Sequence, residues 1–259
     1  MAYKFAPGKP EASIQSVGNP GKAQRIVSLA PGITETLYGL GLGDRLVGRS
    51  DYCDFPEEAM KLPNAGTGLS PDYESLVRMN PDLVLTEGTR EAQLAQLLAI
   101  TNTESMSWLT LQDAVAAISR LGVLTGARSA AESMVQRFQE ALGGEAPQTG
   151  LRTLLVLGLP ATEGSALWFV RRNSLHGRAL HAAGLRNAVN EDIQGTPSMG
   201  FERLVKLDPE LIVVLMAQET LSAEEKKGHL EVFSRFPMVQ AVQEGRVVFL
   251  AGKGYFSTG

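Results

Sequence analysis

The stretch YESLVRMNPDLVL, Tyr73 to Leu85, returns 128 residues later as FERLVKLDPELIV, Phe201 to Val213. Aligned without a gap, the two share an aromatic residue, Glu, a Leu-Val pair, a basic residue, Pro and Leu. In each copy the aromatic, Leu and Val positions (Tyr73, Leu76, Val77; Phe201, Leu204, Val205) fall at i, i+3 and i+4, the packed stripe of a short helix. Pro81 and Pro209 cannot continue that helix, so the chain turns and enters an all-apolar strand. Strands of this kind alternating with helices imply a parallel sheet covered on both faces.

The plan extends beyond the phrase. Arg25 to Leu29 and Thr153 to Leu157 read as buried-type strands, and the interval from Ile26 to Glu74 equals that from Leu154 to Glu202. Helical spacing follows each strand, over Ile33 to Leu40 (stopped by Gly41 and Gly43) and over Leu175 to Ala183 (stopped by Gly184). The fold class expected is α/β, with two doubly wound parallel-sheet lobes. Between them, Leu111 to Thr125 and Arg128 to Leu142 carry helical periodicity. A helix of roughly 15–20 residues spans roughly 22–30 Å and serves as a backbone helix joining the lobes across a cleft. The domain reading is a flexible leader over 1–24, an N-terminal lobe over 25–110, linking helices over 111–145 and a C-terminal lobe over 146–259.

Helix packing accounts for the aromatic, Leu and Val of the phrase but not for the Glu. Glu74 and Glu202 lie beside the stripe and point to solvent; singly, each reads as a solvated helix face or a dipole-favoured N-terminal acid. Present at the same place in both lobes, they suit a partner that is itself two-fold and offers one basic pocket to each.

Other chemistry is sparse. The net charge of −4 argues against nucleic acid as the main partner. No run approaches the ~18 consecutive apolar residues of a membrane span. Cys53 is the single cysteine, which excludes an internal disulfide and a multi-cysteine metal cage. His176 and His181 are five apart and on a helix point about 140° from each other, while His229 sits in the charged run AEEKKGHLE. GNPGKA at 18–23 lacks the spacing and the Ser or Thr of a P-loop, GLGLG at 39–43 stops a helix rather than opening one, and no G-x-S-x-G elbow occurs. The reading is of a protein that is not an enzyme, with no intrinsic cofactor and no metal site.

RIVSLAPGITETLYGLGLGDRLVGRSDYCDFPEEA, followed by the PDLVL phrase, resembles the substrate-binding proteins of type II ABC importers, which carry cobalamin, haem and iron-siderophores. The wording is most like that of the vitamin B12-binding members, over about Arg25 to the end. The resemblance implies two lobes with ligand between them, a monomer, and a permease dimer with its ATPase subunits as partner. It also implies that Glu74 and Glu202 dock into arginines of that permease.

Ligands of open α/β sheets sit at loops after the strands. The ligand-binding candidates are Tyr52, Gly68, Leu69, Glu87 and Arg90 in the first lobe, and Trp168, Phe169, Arg171, Thr196, Lys253 and Tyr255 in the second. Aromatic faces suit a large flat macrocycle and arginine suits its anionic edges. By resemblance, Tyr52 and Trp168 match pocket aromatics of the B12-binding members. Pocket tryptophans of those members fall instead at Gly68, Glu87 and Thr196, the acid and arginine they use near the end fall at Gly252 and Phe256, and a haem-ligating tyrosine falls near Thr67. The ligand expected is cobalamin first, with haem or a ferric siderophore next. A cytoplasmic corrinoid-binding protein and a chelatase-like enzyme of similar two-lobed fold are the alternatives. Location is expected to be periplasmic, or on the cell surface as a lipoprotein, by way of an export signal outside this sequence. Relatives continue into a final helix beyond FSTG, so part of the second lobe is expected to be less covered.

Overall fold

The computed structural model describes residues 23–159, 166–191, 193 and 197–256. The first sheet holds β1 (Ile26–Ser28), β2 (Leu46–Arg49), β3 (Leu83–Glu87) and β4 (Thr103–Met106), all parallel, in the order β2-β1-β3-β4. The second holds β5 (Arg152–Leu157), β7 (Arg186–Asn187), β9 (Leu211–Met216) and β10 (Val247–Ala251), also parallel, in the order β7-β5-β9-β10. Counted by place within each lobe, the two orders are the same, so the duplicated phrase is part of a duplicated topology. Between β5 and β9 in sequence, β6 (Leu167–Trp168) and β8 (Ser198–Met199) form a small antiparallel pair.

In the first lobe α1 (Pro31–Gly39), α2 (Tyr73–Met79) and α3 (Glu91–Ile100) accompany the strands. Pro31, which closes the strand in sequence, starts α1, where its missing N–H costs nothing. Strand alternation divides the apolar residues between two faces. Ile26, Leu83 and Leu85 join a core with α1 and the helix that follows the sheet, while Val27 and Val84 pack with Leu76 of α2 and Leu97 of α3. Val77 departs from the expected stripe and is 62% exposed. In so short a helix, held between the Asp72 cap and Asn80, only the Tyr73 and Leu76 side reaches the sheet.

The phrase is duplicated partly for the scaffold. Arg25 donates from Nε to the Asn80 carbonyl (3.0 Å) and from Nη2 to that of Met79 (2.6 Å). Arg152 does the same for Leu207 (3.1 Å) and Asp208 (2.5 Å) at the end of α7 (Phe201–Leu207). Asn80 and Asp208 both adopt the left-handed conformation, φ 45° and 43°, that ends the helix before Pro. Asp82 accepts from the Arg25 N–H and Glu210 from the Arg152 N–H. A cation on orphan helix carbonyls and a carboxylate on the strand-start N–H thus fix each phrase to the first strand of its lobe.

Two helices fill the linker, α4 (Leu111–Thr125) and α5 (Arg128–Leu142), with the bounds the periodicity predicts. Thr110 and Asp113 form a capping box at the start of α4. Gly122 lets the pair close up, since a Cβ there would lie 2.6 Å from that of Ala131. Ala114, Ala117, Ile118 and Leu121 of α4 and Ala131 and Met134 of α5 belong to the first-lobe core. Farther along α5, Phe138 and Leu142 face α6 (Leu175–Ala182) of the second lobe. The joint is therefore a helix pair, with α5 as the member that touches both lobes.

In the second lobe Leu154, Val156, Ile212 and Val214 face a core with α7, α8 (Ala223–Ser234) and α9 (Gln240–Gln243). On the opposite face Leu155, Val213 and Leu215 form a second, smaller cluster with Val170. α5, α6 and α10 (Lys253–Phe256) leave a mainly apolar groove of about 490 Å³ over it.

Candidate functional site

Three loops meet at the carboxyl edge of the first sheet. The loop after β2 presents Tyr52, 70% exposed, on a buried polar base. Fully buried Cys53 lies 3.0 Å from Thr34 Oγ1 and 3.1 Å from Ser50 Oγ, and Ser50 Oγ accepts from the Tyr52 N–H (3.3 Å). The backbone that presents Tyr52 is thus held by its neighbours. Loop 66–70 folds onto the strand ends: a Cβ on Gly68 would lie 3.3 Å from the Leu29 carbonyl and 3.5 Å from Thr86 Oγ1. Next to it Leu69 is 71% exposed, its carbonyl taking a hydrogen bond from Gln93 Nε2 of α3.

Glu87 ends β3, paired in register with Met106. Burial pushes its carboxyl above the ordinary carboxylate range, with Asp113 adding to the effect and the Trp108 N–H opposing it. Such a carboxyl binds its proton more readily folded than unfolded, so its stabilising contribution is lost as pH rises through the folded pKa. Glu87→Gln is therefore expected to raise the urea midpoint relative to wild type at pH 7, with the gap closing by about pH 4. A gap of equal size at both would refute the burial of this charge. Arg90, at the N-cap position of α3, is exposed.

The second lobe contributes less than the sequence suggests. Trp168 pairs with Ser198 and is half exposed. Phe169 is 1% exposed and lies in the lobe core with the Arg203 guanidinium 5.8 Å from its ring centroid, so it does not face a ligand. Strand alternation sends Trp168 outward and Phe169 inward. Arg171 is also buried, at 5%. It is not offered to an anion: Nη1 donates to the Ile193 carbonyl (3.0 Å) and Nη2 to that of Leu109 (3.3 Å), across the lobes. Tyr255 is exposed, but it borders the groove over the second sheet, where its carbonyl pairs with His176 Nε2 (3.0 Å). Lys253 is the first residue of α10, and Thr196 lies outside the described residues.

One candidate escaped sequence reasoning. Leu109, 46% exposed after β4, stands at the lobe junction with its carbonyl on Arg171. Its signal was an apolar residue in a loop after a strand. Among the described residues no group of three or more His, Cys, Asp and Glu side chains gathers to hold a metal ion. No described helix is long and apolar enough to cross a membrane. Glu74 and Glu202 both stand exposed in the first turns of α2 and α7, Glu74 3.7 Å from Arg78.

A model of the family described as periplasmic binding protein matches residues 26–253. The chain is 26% identical over 200 residues to a vitamin B12-binding protein of Pectobacterium carotovorum subsp. carotovorum, covering 74% of this chain and 71% of that one. It is 25% identical over 233 residues to YvrC, an uncharacterised ABC transporter substrate-binding lipoprotein of Bacillus subtilis, covering 86% and 73%. Among solved structures, a periplasmic haem-binding protein from Pseudomonas aeruginosa superposes with a TM-score of 0.70 at 23% identity, over 89% of this chain and 85% of that one. At that identity the likeness is one of fold.

Proposed function

The chain belongs to the periplasmic binding protein family, and we propose that it captures a metal-chelate nutrient between its lobes and delivers it to a dimeric ABC permease. Cobalamin or a related corrinoid is the first ligand, with haem or a ferric siderophore next. The observation that carries the reading is the exposure of Tyr52, Leu69 and Trp168 on loops and short strands that are themselves held in place. Large apolar side chains kept in water beside a strand-end edge suit a broad, flat ligand face. The name of the vitamin B12-binding relative agrees with this class of cargo, and neither relative's name supports the chelatase-like reading. The protein acts by binding alone, in the periplasm or anchored at the cell surface, with no resident cofactor.

The test is a tryptophan-fluorescence and visible-absorbance titration with cyanocobalamin, haemin and a ferric siderophore. One of them is expected to quench saturably at micromolar concentration or below. Trp168→Ala and Tyr52→Ala are each expected to weaken that affinity by about tenfold or more, the loss of one stacked aromatic face. Saturable binding of none of the three would overturn the cargo, and binding unaffected by either variant would overturn the site.

A further inference from the structure

Between Arg171 and Arg178 the chain makes the second lobe's contacts with the linker. Arg171 sends Nη2 to the carbonyl of Leu109, immediately before the cap of α4. Arg178, one turn into α6, donates from Nε to the carbonyl of Leu142 (2.7 Å), the last residue of α5, and from Nη2 to that of Gly144. Between the two arginines, Leu175 of α6 is buried in the first-lobe core cluster although it belongs to the second lobe. The loop carrying Arg171 is in turn fixed to α6. Ser174 caps the helix and donates its hydroxyl to the Arg171 carbonyl (2.8 Å), and Gly177 has no Cβ to keep that loop away.

We propose that Arg171 and Arg178 are positioning residues that set the width of the interlobe cleft by fastening the second lobe to the open end of the α4–α5 hairpin, where the start of α4 and the end of α5 lie side by side. The chemistry of the acceptors supports this. For Arg178 the Leu142 carbonyl at the end of α5 is an orphan acceptor at the negative pole of the dipole, and the guanidinium fork satisfies it with charge-assisted bonds; for Arg171 the Leu109 carbonyl is a loop acceptor just before α4. Arg171 is buried, and its Nη1 bond to Ile193 in its own lobe leaves Nη2 aimed at one point on the other. Nη2 of Arg171 and the fork of Arg178 bond backbone carbonyls at the joint, outside either sheet's ladder, so removing them is expected to loosen the joint while each sheet keeps its pairing. With the spacing fixed before ligand arrives, the cleft is pre-organised, and the ordering cost of binding is reduced. The inference deepens the binding-protein reading, and the cleft it concerns rests on that reading.

The experiment uses the full chain with a pair of spin labels at Glu91→Cys and Glu231→Cys, both exposed and in different lobes; Cys53 is fully buried and stays unlabelled. The ligand-free wild type is expected to give a narrow distance distribution. Arg171→Gln and Arg178→Gln are expected to broaden it, and Arg178→Lys, which keeps a cationic donor for the helix end, to restore it in part. With cyanocobalamin the broadened variants are expected to release ligand about tenfold faster while association changes little. Narrow, wild-type distributions in both glutamine variants would overturn the proposal whether or not any chelate binds. Broadened distributions in a protein that binds no chelate would uphold the joint and reject the cargo instead. Should Arg171→Gln fail to fold, the half-buried Arg178 decides alone.

Discussion

Gly177→Ala is expected to destabilise the protein by about 3 kcal/mol, the upper range for forcing extra volume into a packed site. Helix propensity alone points the other way, because alanine in a helix interior is favoured over glycine by about 1 kcal/mol. Sterics decide the sign here. A Cβ at Gly177 would stand 2.2 Å from the Arg171 carbonyl oxygen and 2.6 Å from that of Arg172. Both are backbone atoms, so no side-chain rotation relieves the clash; the loop must lift off α6 and take Arg171 with it. Gly228 provides the contrast. It lies inside α8, exposed, with nothing within 4 Å of the missing Cβ. Gly228→Ala is therefore expected to stabilise by about 0.5–1 kcal/mol. Urea unfolding of the two variants reads both numbers, and shifts in the same direction would contradict the close approach at α6.

The strands and the linker helices were legible because periodicity and length report on local burial. Leu111–Thr125 and Arg128–Leu142 carry their stripes from end to end, and the apolar runs before and after each phrase left room for little but parallel strands. Residues whose role depends on a distant partner were less legible. Arg25 and Arg152 look like ordinary strand-start cations until their acceptors, more than fifty residues away, come into view. Arg171 is the same case at the site: an arginine in a cleft-side loop reads as an anion contact, whereas its neighbours are backbone carbonyls. Trp168 ends a two-residue strand and Phe169 follows it, a run too short for alternation to assign from sequence which of them faces outward. Val77 belongs to a helical stripe by spacing, yet α2 is only seven residues long and meets the sheet on one side. Its exposure places an apolar side chain one turn from Glu74.

That pairing bears on the largest functional effect to be expected. Glu74→Lys with Glu202→Lys is expected to abolish stimulation of the permease ATPase by the ligand-loaded protein, with ligand affinity unchanged. Both residues are exposed at helix starts whose inner sides hold Leu76 and Leu204 in the lobe cores, so reversing them leaves the fold intact. The Glu74–Arg78 pair at 3.7 Å is exposed and worth about 0–1 kcal/mol, too little for its loss to unfold anything. Against a permease that meets each glutamate with an arginine pocket, as the resemblance implies, the arithmetic would differ, because a lysine set there would cost several kcal/mol and each 1.4 kcal/mol is about tenfold in affinity. The arginine anchors of Arg25 and Arg152 hold α2 and α7 in like poses on like sheets, so a two-fold partner meets both knobs in the same way. Either single reversal is accordingly expected to weaken docking about tenfold or more, and the double to remove it, with the singles growing milder as salt is raised. The measurement is ATP hydrolysis by a reconstituted importer titrated with liganded wild type and the three variants. A double variant that stimulates like wild type would mean that the repeated glutamate serves the helix starts alone, and that the phrase occurs twice only because the scaffold does.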